Sequence, residues 1–218
     1  MEMKLISVNI GCEKTIEYGQ KSGLTGIFKE PVSGLVEITP LGLRGDVIVD
    51  TKHHGGPDQA IYIYTSPDYA WWSAQLGYEL EPGAFGDNLT ISHLESARLS
   101  VGDILRVGPV VLQVTAPRIP CSIFAARMGL PDFVNRFRRA GRPGLYCRVI
   151  QPGLVQAGDP VTLEPYSGPT VTILEMFEEY YEPHTDEALL RRYLSAPLAI
   201  RARQDKEKQL KKLSERSS

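Results

Sequence analysis

A succession of short runs rich in valine, isoleucine and leucine, each closed by a turn signal, is what most limits the folds open to this chain. The runs are Lys4 to Ile10, Leu35 to Thr39, Asp46 to Asp50, Ala60 to Tyr64, Asn88 to Ile91, Ile104 to Val107, Val110 to Val114, Tyr146 to Ile150 and Val161 to Glu164. In the first, Leu5, Ile6, Val8 and Ile10 predict a buried strand. Gly-Asp pairs recur at Gly45-Asp46, Gly86-Asp87, Gly102-Asp103 and Gly158-Asp159. Glycine supplies positive φ and aspartate closes the turn with its side chain, so the pairs read as punctuation. Many short strands with tight turns predict a mainly β fold, an antiparallel barrel or sandwich. The segment from about Gly11 to Pro31 reads as irregular.

Two short helices interrupt the β region. Ser66-Pro67-Asp68 supplies an N-cap, a first-turn proline and an acid, and Gly77 is the stop. Trp71, Trp72 and Leu76 form its apolar stripe. The second runs from about Pro131 to Ala140 with Phe133 and Phe137 one turn apart, and its Arg136, Arg138 and Arg139 read as a solvated face. Tyr166-Ser167-Gly168-Pro169 then reads as a linker into three helices, about Val171 to Tyr181, Asp186 to Leu194 and Pro197 to Ser214. The division expected is a β-barrel domain over 1–167 and a small three-helix domain over 168–218. Roughly 50 residues bury little alone, so the helices are expected to pack on the barrel. Lys206, Lys208, Lys211 and Lys212 read as an exposed helix face.

With 42% apolar residues, 23% charged residues and a formal net charge of −2 in 218 residues, the chain reads as an ordinary globular protein. It has no global basic field for a nucleic-acid polymer or an anionic membrane, so a small anionic ligand needs a local cation cluster. Cys12, Cys121 and Cys147 lack CxxC spacing and are odd in number, which suits a reducing compartment. The opening MEMKLISVNIG reads as a strand rather than a signal peptide, and no run is long enough to span a membrane. The expected location is cytoplasmic. Cys12 and Cys147 are assigned to strands and core, and His93 and His184 to the surface.

Three stretches carry chemistry. In Ala116-Pro117-Arg118-Ile119-Pro120-Cys121-Ser122-Ile123-Phe124 two prolines end a strand and stiffen a turn. Arg118 near Cys121 favours thiolate, the form that acts as nucleophile or metal ligand; a buried cysteine acting as a small hydrophobe is the plain alternative. The second stretch runs from Arg44-Gly45-Asp46 to Lys52-His53-His54-Gly55-Gly56-Pro57-Asp58-Gln59-Ala60. Its paired glycines let backbone N–H groups approach an anion, and His53 or His54 suits proton delivery; a surface loop with incidental histidines is the plain alternative. The third, Gly83-Ala84-Phe85-Gly86-Asp87-Asn88-Leu89-Thr90, leads from a glycine turn to Asn88 and Thr90, which hydrogen-bond a polar ring or simply shape the turn.

In this order the three stretches resemble the MOSC domain, and more closely the YiiM-type bacterial MOSC proteins, which append a small three-helix domain. Asp87 stands where glutamate is more usual. The resemblance implies a β-barrel that binds the molybdenum cofactor and reduces N-hydroxylated compounds, including hydroxylaminopurine-type base analogues. Cys121 matches the cysteine thought to ligate molybdenum. Arg118 and one of His53 and His54 then serve the chemistry, while Lys21, Arg44, Lys52, Gly55, Gly56, Asp58, Asn88 and Thr90 hold the cofactor. A soft thiolate suits a high-valent metal. With neither a dinucleotide fingerprint nor an iron–sulfur cysteine array, electrons are expected from a separate reductase. The partners expected are thus that reductase and a small N-hydroxylated substrate, and a homodimer is compatible with this reading. Two other functions stay open: a sulfur carrier using a Cys121 persulfide, and a module that binds cofactor without catalysis.

Overall fold

The structure is a computed structural model that describes residues 2–51, 54–184 and 186–216. Among the described residues, thirteen strands and six α-helices follow in chain order. The strands are β1 (Met3–Gly11), β2 (Lys14–Tyr18), β3 (Lys21–Thr25), β4 (Lys29–Val32), β5 (Val36–Thr39), β6 (Gly42–Leu43), β7 (Ile61–Thr65), β8 (Leu89–Ile91), β9 (Ile104–Val107), β10 (Val110–Ala116), β11 (Leu145–Gln151), β12 (Gly153–Val155) and β13 (Pro160–Glu164). The helices are α1 (Ser66–Leu76), α2 (Ser122–Arg127), α3 (Phe133–Ala140), α4 (Ile173–Tyr181), α5 (Glu187–Ser195) and α6 (Ile200–Arg216).

The main sheet runs β13-β9-β10-β11-β7-β8-β1, and a β13–β1 pairing closes it into a barrel, with β4 added on β1. Closure removes the unpaired edges that an open sheet leaves exposed. The sheet is mixed, not wholly antiparallel: β7 and β8 pair in parallel, Ile63 opposite Leu89. The reason is that α1 and the turn after it carry the chain back before β8 begins, a crossover that parallel neighbours require. Small sheets β12-β5-β6 and β2-β3 stand outside the barrel.

Four local readings are corrected. The segment read as irregular contains the β2–β3 hairpin and β4. Asp46 to Asp50, read as a strand, forms none; its Val47 N–H reaches only across to the Gly11 carbonyl at 3.2 Å. Ile6, read as buried, is 41% exposed, because the β1–β8 register shifts between Leu5 and Ser7. A bulge of that kind redirects side chains. A helix unread in the sequence, α2, starts directly after Cys121.

Inside the barrel Leu5, Val8, Ile61, Ile63, Leu89, Leu112 and Val114 share one apolar cluster with Val171, Ile173, Tyr193, Ala196 and Leu198 of the C-terminal helical segment. A second, aromatic cluster centres on Phe85, whose ring stacks on Tyr64 at 4.4 Å and meets Phe124 at 5.7 Å. The Gly83-to-Gly86 turn therefore has a packing role: it plants an aromatic side chain worth several kcal/mol, on the order of 3–5 when deleted. Cys147 is buried as read, whereas Cys12, assigned to the core, is exposed. Lys206, read as exposed, is 8% exposed and bonds Glu179 at 2.6 Å. No helix among the described residues is long and apolar enough to cross a membrane.

Candidate functional site

A cavity of about 670 Å³, counted to its open mouth, lies where the hairpin, the Asp46-to-Asp50 segment and the turn after β10 meet. The enclosed part, open to water-sized molecules, is about 100 Å³, below the range that surrounds a drug-sized ligand, so a larger ligand would lie partly in the open mouth. Backbone packing keeps the rim tight. A Cβ added at Gly26 meets the Val47 carbonyl oxygen at 1.9 Å, so only glycine lets the hairpin approach this segment. At Gly86, with φ +72°, an added Cβ meets Ile27 at 3.0 Å beside the Arg118 guanidinium.

Cys121 lines the cavity, half-buried, and so does Arg118. Pro117 and Pro120 end β10 and turn the chain, and α2 begins one residue after the cysteine. Arg118 is 5% exposed. Its guanidinium lies over Phe124 at 4.4 Å and Tyr62 at 4.9 Å, and one terminal nitrogen donates to the Phe85 carbonyl at 3.0 Å. Burial opposes its charge, yet Tyr146, Tyr62, Cys121 and Asp87 together hold its pKa above the ordinary value. Its Nε is buried with no hydrogen-bond partner among the described residues. The arginine thus keeps its charge in the cavity wall with one donor of its guanidinium left unused.

His54 and Gly55 also line the cavity, the histidine N–H bonded to the Asp50 carbonyl at 3.0 Å. Asn88 lines it too, but its side chain is spent on structure, accepting from Tyr62 N–H at 3.0 Å and donating to Asp46 at 2.9 Å. The other expected cofactor contacts do not face the cavity. Lys21 is exposed on β3, and Arg44 is exposed and paired with Glu37. Gly56 is exposed at the start of a 3₁₀ turn, and Asp58 turns to Arg148 and the Ile200 N–H. Thr90 is buried and bonds Asp87 at 2.8 Å. Lys52 and His53 lie outside the described residues.

Sequence reasoning missed three lining residues, Lys29, Tyr62 and Tyr146. Lys29 and Asp46 form a buried ion pair. Burial pushes the Lys29 ammonium below its ordinary pKa, against the attraction of Asp46. Beside it, burial pushes the Asp87 carboxyl up, opposed by hydrogen bonds from Tyr69 at 2.6 Å and Thr90. Tyr146 lies tilted against Tyr62, ring centroids 5.0 Å apart, and stays protonated, because burial raises its phenol. The one available signal was the spacing of aromatic and β-branched residues in β7 and β11, which marks a buried face but not a cavity.

The MOSC domain family model matches residues 50–162, more than half of the chain. The chain belongs to the MOSC domain family. The match spans the His54 loop, the Gly83 turn and Cys121, while the cavity lining from Leu24 to Lys29 and from Asp46 to Val49 lies before it. Among sequences, the Bacillus subtilis protein YflK is 36% identical over 154 residues, 71% of this chain and 70% of that one. A protein of Gibberella moniliformis named "Reductase" is 32% identical over 143 residues, 64% of this chain but only 25% of the fungal one. Among solved structures, YiiM from Geobacillus stearothermophilus superposes with a TM-score of 0.79 at 31% identity, covering 95% of this chain and 99% of that one. The barrel and the C-terminal helices therefore both recur in a solved YiiM structure.

Proposed function

We propose that this MOSC protein binds the molybdenum cofactor in the cavity and reduces N-hydroxylated compounds, with Cys121 as the protein's ligand to molybdenum. The observation that carries the reading is the pairing of Cys121 with Arg118 on one cavity, the buried arginine Nε having no partner among the described residues. The donor set fits the group. Among the described residues no cluster of three or more histidine, cysteine or acidic side chains stands ready for a bare ion, so a metal here brings most of its own ligands, as a pterin dithiolene does. The cofactor is anionic, and Arg118, with the Gly55 backbone, supplies positive charge and donors for it. The family match, and the naming of the fungal relative as a reductase, support the same reading.

When bound, the cofactor supplies the two-electron chemistry that converts an N-hydroxyl compound to the parent amine and water. The remaining work falls to side chains. Arg118, on the same cavity, supplies positive charge beside the cysteine sulfur and helps to orient it. The conversion consumes two protons, and His54, which lines the cavity, would pass them inward, since imidazole as a residue type exchanges protons near neutral pH. Electrons come from a separate reductase, as the chain has no redox motif of its own.

The test is Cys121→Ala in protein made with molybdate supplied. Wild-type protein is expected to carry stoichiometric molybdenum and pterin and to reduce an N-hydroxylated base with a chemical electron donor; the variant is expected to lose both properties. Undiminished turnover in the variant overturns the reading. So does a labile sulfur on Cys121 in wild-type protein that holds no molybdenum, which is the signature of a sulfur carrier.

A further inference from the structure

Side chains alternate along β7 and β11, so Ile61, Ile63, Leu145 and Cys147 enter the barrel core while Tyr62, Tyr64 and Tyr146 share the opposite, aromatic face. Most tyrosine hydroxyls on that face are engaged. Tyr62 donates to the Pro143 carbonyl at 3.0 Å, Tyr64 to the Arg142 carbonyl at 2.9 Å, and the neighbouring Tyr69 to an Asp87 side-chain oxygen at 2.6 Å. Tyr146 differs. It is 8% exposed and lines the cavity, and its hydroxyl has no hydrogen-bond partner among the described residues. Nor is that hydroxyl sealed in the interior, as the unpartnered hydroxyls of Tyr181 and Tyr193 are. A buried phenol ordinarily finds a partner for its O–H, and one in a cavity wall that meets no protein group offers it to what the cavity holds. The residue is fixed from behind. Its ring lies against Tyr62, and its carbonyl accepts from the Thr115 hydroxyl at 3.0 Å. The phenol also sits near the proposed chemistry, since the charges of Arg118 and Cys121 both act on it.

Other polar side chains of the wall are committed. Lys29 and the Asn88 amide both bind Asp46, and Arg118 donates to the Phe85 carbonyl. At the mouth the wall turns apolar, with Leu24 50% and Val49 37% exposed beside Ile123. We infer that Tyr146 is the specificity-determining residue of the cavity, its neutral phenol donating to the hydroxyl oxygen of an N-hydroxylated ligand while the apolar mouth holds the ligand's ring. The inference rests on the function proposed above and adds to it the group that tells an N-hydroxyl compound from the amine it becomes. A neutral donor suits an uncharged hydroxyl, because it costs far less to desolvate than a charge, and burial keeps this one protonated. A site that hydrogen-bonds a ligand hydroxyl disfavours the analogue lacking it, since its own donor is then left unpaired.

Calorimetry on the full chain with no electron donor present measures binding without turnover. Wild-type protein is expected to bind hydroxylaminopurine about tenfold tighter than adenine. Tyr146→Phe is expected to erase most of that preference by weakening hydroxylaminopurine alone. Its adenine affinity, molybdenum content and urea midpoint are expected to stay at wild-type values, because no bond within the protein is lost. Tyr64→Phe, which deletes a hydroxyl already spent on the Arg142 carbonyl, is expected to lower the urea midpoint and keep the preference. No preference in wild type, a preference that survives in Tyr146→Phe, or an equal loss of both affinities in that variant overturns the inference. So does a Tyr146→Phe protein that loses molybdenum held by wild type, which would make the phenol a cofactor contact instead. The preference is read whether or not the preparation holds molybdenum. Wild-type protein without the metal counts against the proposed function, while a preference that depends on the Tyr146 hydroxyl still sustains this inference.

Discussion

Two lysine–carboxylate pairs in this molecule are hidden from solvent to nearly the same extent, and they are built differently. Lys29 and Asp46, 8% and 5% exposed, line the cavity; Lys206 and Glu179, 10% and 4% exposed, join α6 to α4. Asp46 is also fixed by the Gly11 N–H at 2.8 Å and the Asn88 amide at 2.9 Å, both parts of the barrel wall. Glu179 leans on His184 instead, through its N–H at 3.1 Å and its ring Nδ1 at 2.6 Å, and that histidine side chain is 68% exposed. The charge states diverge accordingly. Burial wins at Lys29 and lowers its pKa. At Glu179 burial is again the largest single influence, but the bonds from Lys206 and His184 together outweigh it and the carboxyl titrates below its ordinary value. Side chains similarly hidden from solvent thus differ in depth as well as in partners: Lys29 is an ammonium under strain deep in the barrel wall, and Glu179 a secure carboxylate nearer the surface among the helices. A buried pair is weak evidence for stability by itself; what surrounds it decides.

The largest expected effect breaks the cavity pair. Asp46→Ala removes the acceptor of a buried ammonium, a backbone N–H and an amide at once, and is expected to cost about 3–5 kcal/mol in urea unfolding. A loss under about 1 kcal/mol would show that the pair is not the knot that holds β1, β4 and β8 together. Glu179→Gln is expected to cost less, about 1–3 kcal/mol, since one amide oxygen still accepts and the long Lys206 stem can swing its ammonium to water. If the two variants fall in the reverse order, the contrast between wall-fixed and histidine-fixed pairs is wrong.

How much of this was legible in the sequence follows the range of the interactions. Local signals sufficed for most strands and for α1, where Gly77 does adopt the left-handed conformation that ends the helix. Cys121, Arg118, His54 and Gly55 were legible because motif order carried them. The Asp46-to-Asp50 stretch was not. Val47, Ile48 and Val49 have strand chemistry, but they line a cavity with no ladder partner on hand, and propensity cannot report a missing neighbour. Lys29 was invisible for a related reason: its burial depends on Asp46, 17 positions away, and on a turn that no local pattern predicts. The β2–β3 hairpin had a readable cue, Gly19 opening a two-residue turn at φ +63°, masked by strands with few apolar residues. Asp58 and Arg44 do not line the cavity: a charged residue in a motif reads as a ligand contact until the structure supplies its partners, Arg148 for one and Glu37 for the other.

The smallest and most discriminating test is pH, because the two pairs respond in opposite ranges. Lys29 has a folded pKa below its ordinary 10.5, so between the two values the unfolded chain binds more protons than the folded one. Stability from this group therefore rises as pH climbs toward 10.5, and wild type is expected to gain on Lys29→Met over that range. Glu179 has a folded pKa below its ordinary 4.5, so its contribution is complete above 4.5 and fades as pH falls through the folded value. The deficit of Glu179→Gln should accordingly shrink in acid and hold steady through the alkaline range. Urea midpoints of the two variants and wild type, taken across both ranges, read these trends directly. A Lys29→Met gap that stays flat up to pH 10.5 would mean that Asp46 and Asp87 offset the burial of the ammonium in full, and would overturn the reading of Lys29 as a strained charge.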